Sequence, residues 1–438
     1  MGYPACLSAR QAPCTCTVSW QSADSSRLFN FFTKRHLQQL PSASFVPDLL
    51  ISQMQYNNTI KQQFLLRSDI TFLNFGAFGA CPKPVFEKYQ YFQSELEQDP
   101  VSFFLVNGPA YLKTARTALA GFLHCNADDV VYVTNPSYAV NIIAKSLDLK
   151  AGDEVLTTNL EYGACDRTWK YYCGKKNAKY VRQKIRFPLK SKEDFITQFL
   201  EGITTKTKII FISHITSTTG LRLPVEEICA IAKEKGILSF VDGAHAPGQL
   251  KVNLAVLGAD MYTGACHKWM LTPKGSSFLF VNNKLQHLFD PLLISWGYES
   301  TNPSHSRFLD YHQMQGTRDY SAFLTIPDAI RFMQDNNWET VNKECRTITQ
   351  NNAERFCRLL DAEPLCPITD EFIAQLYSIP IKTTAPQKLH DLLLEKYKIQ
   401  VPVMPHEDKF YLRYSIQAFN SNEDLNKLYV ALKEIAVY

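Results

Sequence analysis

The 438-residue chain predicts an α/β protein: a large domain on a mostly parallel sheet covered by helices, then a smaller C-terminal α+β domain. Three observations predict it. From about residue 110, short β-branched and aromatic runs alternate with longer amphipathic stretches, the signature of repeated strand–helix–strand units. After about residue 320 that rhythm gives way to long helical stretches followed by strands and helices in mixed order. Hydrophobic residues make up 45% of the chain and aromatics 12%, enough for a sizeable core, which excludes a disordered protein. The division expected is a leader and extension over 1–60, a large domain over 61–315 and a small domain over 316–438.

The elements follow in order. DDVVYVTN (128–135) reads as a strand and SYAVNIIAKSLDL as a helix. DEVLTTN (153–159) is a strand, and Gly163 to Lys176 a helix. KYVRQKI, KEDFITQFLEGI, TKIIFISHI (207–215), VEEICAIAKEKG and ILSFVDG continue the alternation. In the last part, SAFLTIPDAIRFMQ and TVNKECRTITQNNAERFCRLLDA read as long helices. Then come strand-like FIAQLYSIPI, helical APQKLHDLLLEKY, strand-like KFYLRYSI and helical EDLNKLYVALKEI. No internal repeat or low-complexity linker is present.

Charge and composition exclude several partners. With 46 basic against 42 acidic residues the net charge is +4, which gives no nucleic-acid footprint. No apolar run approaches the roughly 18 residues of a membrane helix. The twelve cysteines are scattered, and no paired CxxC motifs suggest a zinc site, so free thiols and no metal are expected. The first fifty residues are Ser-rich and hold only Asp24 and Asp48 as acids. A mitochondrial targeting segment and an unstructured leader both fit that composition. A cytoplasmic location is the default expectation, a mitochondrial one the alternative.

In a parallel sheet, ligands bind beyond the C-terminal strand ends. The residues that follow each strand are therefore the candidates: Asn135–Tyr138, Glu161–Tyr162, His214–Gly220, Asp242–His245 and Gly264–Lys268. The stretch after Val133, TNPSYAVN, holds no glycine, so a dinucleotide fingerprint is absent, and there is no Walker A sequence. SHITSTTG (213–220) and Thr134–Ser137 are hydroxyl-rich instead, and hydroxyls with backbone N–H groups at a helix start suit one phosphate. An acid at one strand end and a lysine at another suit a cofactor with an aldehyde, a pyridine nitrogen and a phosphate: pyridoxal 5′-phosphate (PLP). Taken singly, Asp242 reads as a helix cap, Lys268 as a surface lysine, Tyr162 as packing, and His245 and His267 as structural histidines. Only the joint arrangement points to a cofactor.

From LNFGAFGACPKPV (73–85) to the C-terminus the order of these motifs resembles the class V aminotransferase-like PLP enzymes of fold type I. The resemblance implies that Lys268, in GACHKW, forms the Schiff base. Asp242, in VDGAHAPG, would pair with the pyridinium nitrogen, and His245 would lie beside the cofactor. Tyr162 would stack on the ring, Asn135, Pro136 and Ser137 would form the phosphate turn, and His267 precedes the lysine as in many relatives. Gly316 and Thr317, in QGTRDYSA, would reach the phosphate of a neighbouring subunit, which implies a homodimer. Arg413, in YLRYSIQAFN, would grip the carboxylate of a small-molecule amino-acid substrate. Two positions depart from the pattern: Ser217 stands where many relatives have Asn, and Ala265 where many have Ser or Asn.

LNFGAFGACPKPV, SHITSTTGLRLPVEEI and GACHKW followed by PKGSSFL resemble the isopenicillin N epimerase-like group. That group includes epimerases, cysteine desulfhydrases and hercynylcysteine sulfoxide lyases. The resemblance implies a C–S lyase that eliminates sulfur from a cysteine derivative to give pyruvate and ammonia. Epimerisation and transamination are the enzymatic alternatives, and an inactive PLP-fold scaffold the non-enzymatic one. A persulfide-forming desulfurase is disfavoured, because no cysteine lies between Cys366 and the C-terminus.

Overall fold

A computed structural model describes residues 60–435. The leader expected over 1–60 therefore falls almost wholly outside the described residues. The described residues form twelve strands: β1 Thr71–Phe72, β2 Val130–Val133, β3 Glu154–Thr158, β4 Lys179–Gln183, β5 Thr207–Ser213, β6 Leu238–Asp242, β7 Met261–Ala265, β8 Ser277–Val281, β9 Leu376–Ile381, β10 Ile399–Gln400, β11 Val403–His406 and β12 Lys409–Ser415.

Seven of them make the central sheet, in the order β2-β8-β7-β6-β5-β3-β4. Only β8 runs against its neighbours, pairing antiparallel with both β2 and β7. The other six point the same way, so their C-terminal ends share one edge. Both faces of this sheet are covered, which explains the near-continuous apolar strands. Ile210 and Ile212 of β5 pack into one core cluster, while Ile209 and Phe211 pack into the other. The strand period of two thus sends alternate residues to opposite faces.

The strands and helices expected from the alternation form within a few residues of their expected ends. One expectation needs correction: SAFLTIPDAIRFMQ is two helices, Ser321–Leu324 and Ile326–Asp335. Pro327 lacks an N–H and fits the first turn of the second helix better than the interior of one long helix.

The antiparallel sheet β11-β12-β9 follows the long helix Trp338–Leu359. Its strand β12 sets Arg413 opposite Ser378 of β9. The short parallel pair β1–β10 ties the stretch before FGAF to this C-terminal part of the chain. Ser415 Oγ reinforces the tie by accepting from the Gly76 N–H at 3.1 Å and donating to the Leu73 carbonyl at 3.1 Å.

Candidate active site

At the shared C-terminal edge of the sheet lies a cavity of about 350 Å³. Nine of the residues expected at the site line it: Asn135, Pro136, Ser137, Tyr162, Ser217, Asp242, His245, His267 and Lys268. They come from five separate strand ends, so only the sheet brings them together.

Asp242 ends β6, in register with Ser213 of β5 on one side and Thr263 of β7 on the other. Its carboxylate accepts from the Ala244 N–H at 2.9 Å and from the Cys165 thiol at 3.6 Å. Burial pushes its pKa up; the Ala244 N–H and the charge of Lys268 pull against that. No ion pair involving it is found among the described residues. A buried acid so placed is suited to a cationic partner from outside the chain.

Lys268 follows β7, and its Nζ stands 3.3 Å from His245 Nε2. Trp269 Nε1 lies 3.3 Å from the other ring nitrogen of His245. An indole N–H can only donate, so His245 Nδ1 is the acceptor and the neutral ring carries its proton on Nε2. That proton points at Lys268, so the contact favours the lysine as a free amine. The electrostatics agree: burial, then the Arg413 charge, lower the Lys268 pKa to about 8. Burial, then the Lys268 charge, hold His245 well below its usual value.

The other end of the cavity is the start of the helix Pro136–Ser146. Asn135 is extended, at φ −162°, and its side chain accepts from the Tyr138 N–H at 2.9 Å. Proline at the first helical position supplies the fixed φ of the first turn. The helix N-terminus and the Ser137 hydroxyl therefore border the cavity. His267 Nδ1 donates to the Ser276 carbonyl at 2.9 Å, and burial lowers its pKa to about 4. Tyr162 is 50% exposed and precedes the helix Gly163–Lys175.

Arg413 and Thr317 do not line the cavity. Arg413 is 2% exposed and donates from Nη1 to the Ser217 carbonyl at 2.5 Å. Its Nε is buried without a partner, and burial lowers its pKa to about 10. No carboxylate pairs with it among the described residues. Thr317 is exposed and follows Gly316, whose φ is 89°. Ala265 is fully buried in β7, while Ser217 lines the cavity and holds Arg413 through its carbonyl.

Ala77, Phe78, Ser213, Ile215 and Ala244 also line the cavity. Ala77 and Phe78 lie outside the expected strand-end stretches, while Ser213, Ile215 and Ala244 lie within them without having been singled out. The glycines of FGAFGA are the signal that could have found the first two. A Cβ on Gly79 would lie 2.3 Å from the His267 carbonyl oxygen and 2.8 Å from Lys268 Cα, so this turn packs directly on the lysine's backbone. A Cβ on Gly76 would lie 3.3 Å from Arg413 Nη2.

The residues fit a phosphorylated pyridine aldehyde: a low-pKa lysine, a buried acid without a cation, a helix N-terminus with hydroxyls, and a buried guanidinium with an orphaned N–H. No group of three metal-ligating side chains occurs among the described residues. Fold and site together define a PLP-dependent enzyme of fold type I. The chain belongs to the class V aminotransferase family, which matches residues 80–428, and its cofactor is pyridoxal 5′-phosphate.

The chain is 31% identical to isopenicillin N epimerase of Amycolatopsis lactamdurans over 392 residues, covering 86% of this chain and 98% of that protein. It is 26% identical to L-cysteine desulfhydrase of Arabidopsis thaliana over 404 residues, 83% of this chain and 87% of the relative. Among solved structures, the cysteine desulfurase of Thermococcus onnurineus NA1 superimposes with a TM-score of 0.73 at 19% identity, covering 86% of this chain and 97% of that one. At that identity the likeness speaks for the fold alone. No helix of the described residues is long and apolar enough to cross a membrane.

Proposed function

We propose that the protein is a C–S lyase acting on a cysteine derivative. One observation carries the reading: the cavity holds a lysine poised as a free amine, and none of the described thiols lines it. Cys165 and Cys266 are both buried, and Cys165 is turned toward Asp242. Burial raises the Cys266 thiol to about 12. Among the described residues no sulfur-accepting nucleophile stands in the cavity wall, and on this reading the sulfur leaves with its own substituent.

The bound cofactor supplies an electron sink for negative charge at the substrate α-carbon. Lys268 takes the α-proton, helped by its lowered pKa. Asp242 keeps the negative charge that favours a protonated ring nitrogen. Asn135, Pro136, Ser137 and His267 would hold the phosphate, Tyr162, Ser217 and His245 would flank the ring, and Arg413 would bind the substrate carboxylate. The Cβ–S bond breaks with its electron pair on sulfur, which leaves as a thiol after protonation. The released 2-aminoacrylate takes up water to give pyruvate and ammonia. Thr317, exposed on this chain, would complete the phosphate site of a partner copy in a homodimer.

A second reading is epimerisation. It is favoured by the near full-length similarity to the epimerase and by Tyr162, a hydroxyl-bearing side chain at the cavity able to return a proton. Proton NMR in heavy water separates the two. The PLP-loaded protein is given L-cysteine and a panel of cysteine conjugates and sulfoxides, with Lys268→Ala as control. Pyruvate is the expected product. Loss of the α-proton signal while the amino acid survives would support the epimerase instead. No change in either signal would overturn both.

A further inference from the structure

Behind the cavity wall lies a second buried acid that the mechanism above does not use. Glu161 is 7% exposed and has no ion-pair partner among the described residues. Its Oε1 accepts from Thr158 Oγ1 at 2.7 Å and from the Ser213 N–H at 3.3 Å. Its Oε2 meets Ser213 Oγ at 2.5 Å. The Thr158 oxygen already accepts the Leu160 N–H at 3.1 Å, so its hydrogen is directed to Glu161. Oε2 and Ser213 Oγ are the one contact of the cluster in which either partner can donate.

Ser213 is in turn a cavity residue, in register with Asp242. When Glu161 is ionised, the Ser213 hydrogen points back at it, and the serine oxygen offers a lone pair to the cavity. When Glu161 is protonated, the proton on Oε2 donates to Ser213, whose own hydrogen is freed toward the cavity. We propose that Glu161 is a positioning residue: through the Ser213 hydroxyl it sets whether the wall beside Asp242 presents an acceptor or a donor to the ring-nitrogen end of the cofactor. The inference rests on Asp242 as the partner of that nitrogen.

The groups that face Glu161 shape its titration. Asp242 on β6 is the charged neighbour, the Cys165 thiol approaches from the helix Gly163–Lys175, and Tyr180 from β4. Burial raises Glu161 to about 7; the Ser213 and Thr158 hydrogen bonds oppose that, and Asp242 adds to it. An acceptor wall with an added negative charge favours a protonated ring nitrogen. The grip should therefore weaken as pH falls through the range in which Glu161 takes up its proton.

The test follows cofactor release from the full-length PLP-loaded protein during dialysis, at pH values from about 6 to 8. Wild type should release PLP about ten-fold faster at the acid end, the size of a one-unit coupling. Glu161→Gln keeps the bonds to Oε1 and permanently donates to Ser213. It should release quickly at every pH. Ser213→Ala keeps the acid but removes the relay, and should lose most of the pH dependence. Wild-type pH dependence persisting in both variants, or absent from wild type, overturns the proposal. Asp242→Asn is run beside them. If it releases PLP quickly while Glu161→Gln and Ser213→Ala behave as wild type, this inference alone fails. If it also behaves as wild type, the assignment of Asp242 fails, and this inference with it.

Discussion

Arg413→Met separates a binding guanidinium from a structural one. Buried charges are normally paired, yet among the described residues this one holds a single carbonyl, and its Nε has no partner. Its pKa falls from 12.5 to about 10 on burial. A cation with a depressed folded-state pKa opposes folding at every pH below that value, here by about 3 kcal/mol. Methionine removes that opposition together with one charged hydrogen bond, which contributes about 1.5–3 kcal/mol. The two nearly cancel, so the melting temperature should move by only a few degrees. Catalysis should respond differently. Losing one partner of a buried charge pair with a substrate carboxylate costs about 2–5 kcal/mol, or roughly 30- to 5,000-fold in kcat/KM. The assay is α-proton exchange in heavy water with amino-acid substrates, alongside the matching amines that lack the carboxylate. Exchange should fall for the amino acids and stay level for the amines. Equal losses for both, or a melting temperature lower by more than about ten degrees, would refute the argument.

Asp242→Asn should slow α-proton exchange by about 10²–10³-fold, the scale of removing a main electrostatic stabiliser, with circular dichroism unchanged; near-normal exchange would remove the aspartate from the mechanism. In the cofactor-free protein, trinitrobenzenesulfonate labelling of Lys268, read by peptide mass spectrometry, should rise with a midpoint near the lowered pKa of about 8. Because the unfolded lysine titrates at 10.5, it binds more protons than the folded one between about 8 and 10.5, so its contribution to stability rises with pH there. A labelling midpoint near 10.5 would contradict the burial argument. Tyr162→Phe should leave pyruvate formation within about three-fold of wild type, because elimination needs no proton from that face; a loss of about 10²-fold or more would make the tyrosine an acid or base of the reaction.

Much of this was legible without coordinates. Apolar runs of four to seven residues, separated by helical periodicity, were enough for a parallel sheet, because buried strands need no polar face. Each strand end then named its own candidates, and Asp242, Lys268 and Tyr162 were among them. Phe78 and Ala77 were not, because they reach the cavity from the short helix Phe75–Phe78, ahead of the first strand of the central sheet. Glu161 stood among the candidates, but its isolation from any cation is a fact of packing. The break at Thr325 was hidden for a similar reason: Pro327 fits one helix start as well as it marks a helix end, and local pattern does not choose between them.

By itself the sequence determined which elements form and which chemical groups stand at their ends, since both follow from local periodicity and from the residue after each strand. Tertiary structure decided the electrostatics. Only packing could strip water from Lys268, Asp242, Glu161 and Arg413, and only strand register could place Ser213 beside Asp242. A pKa depends on what surrounds a group in three dimensions, and those neighbours lie tens to hundreds of residues away along the chain.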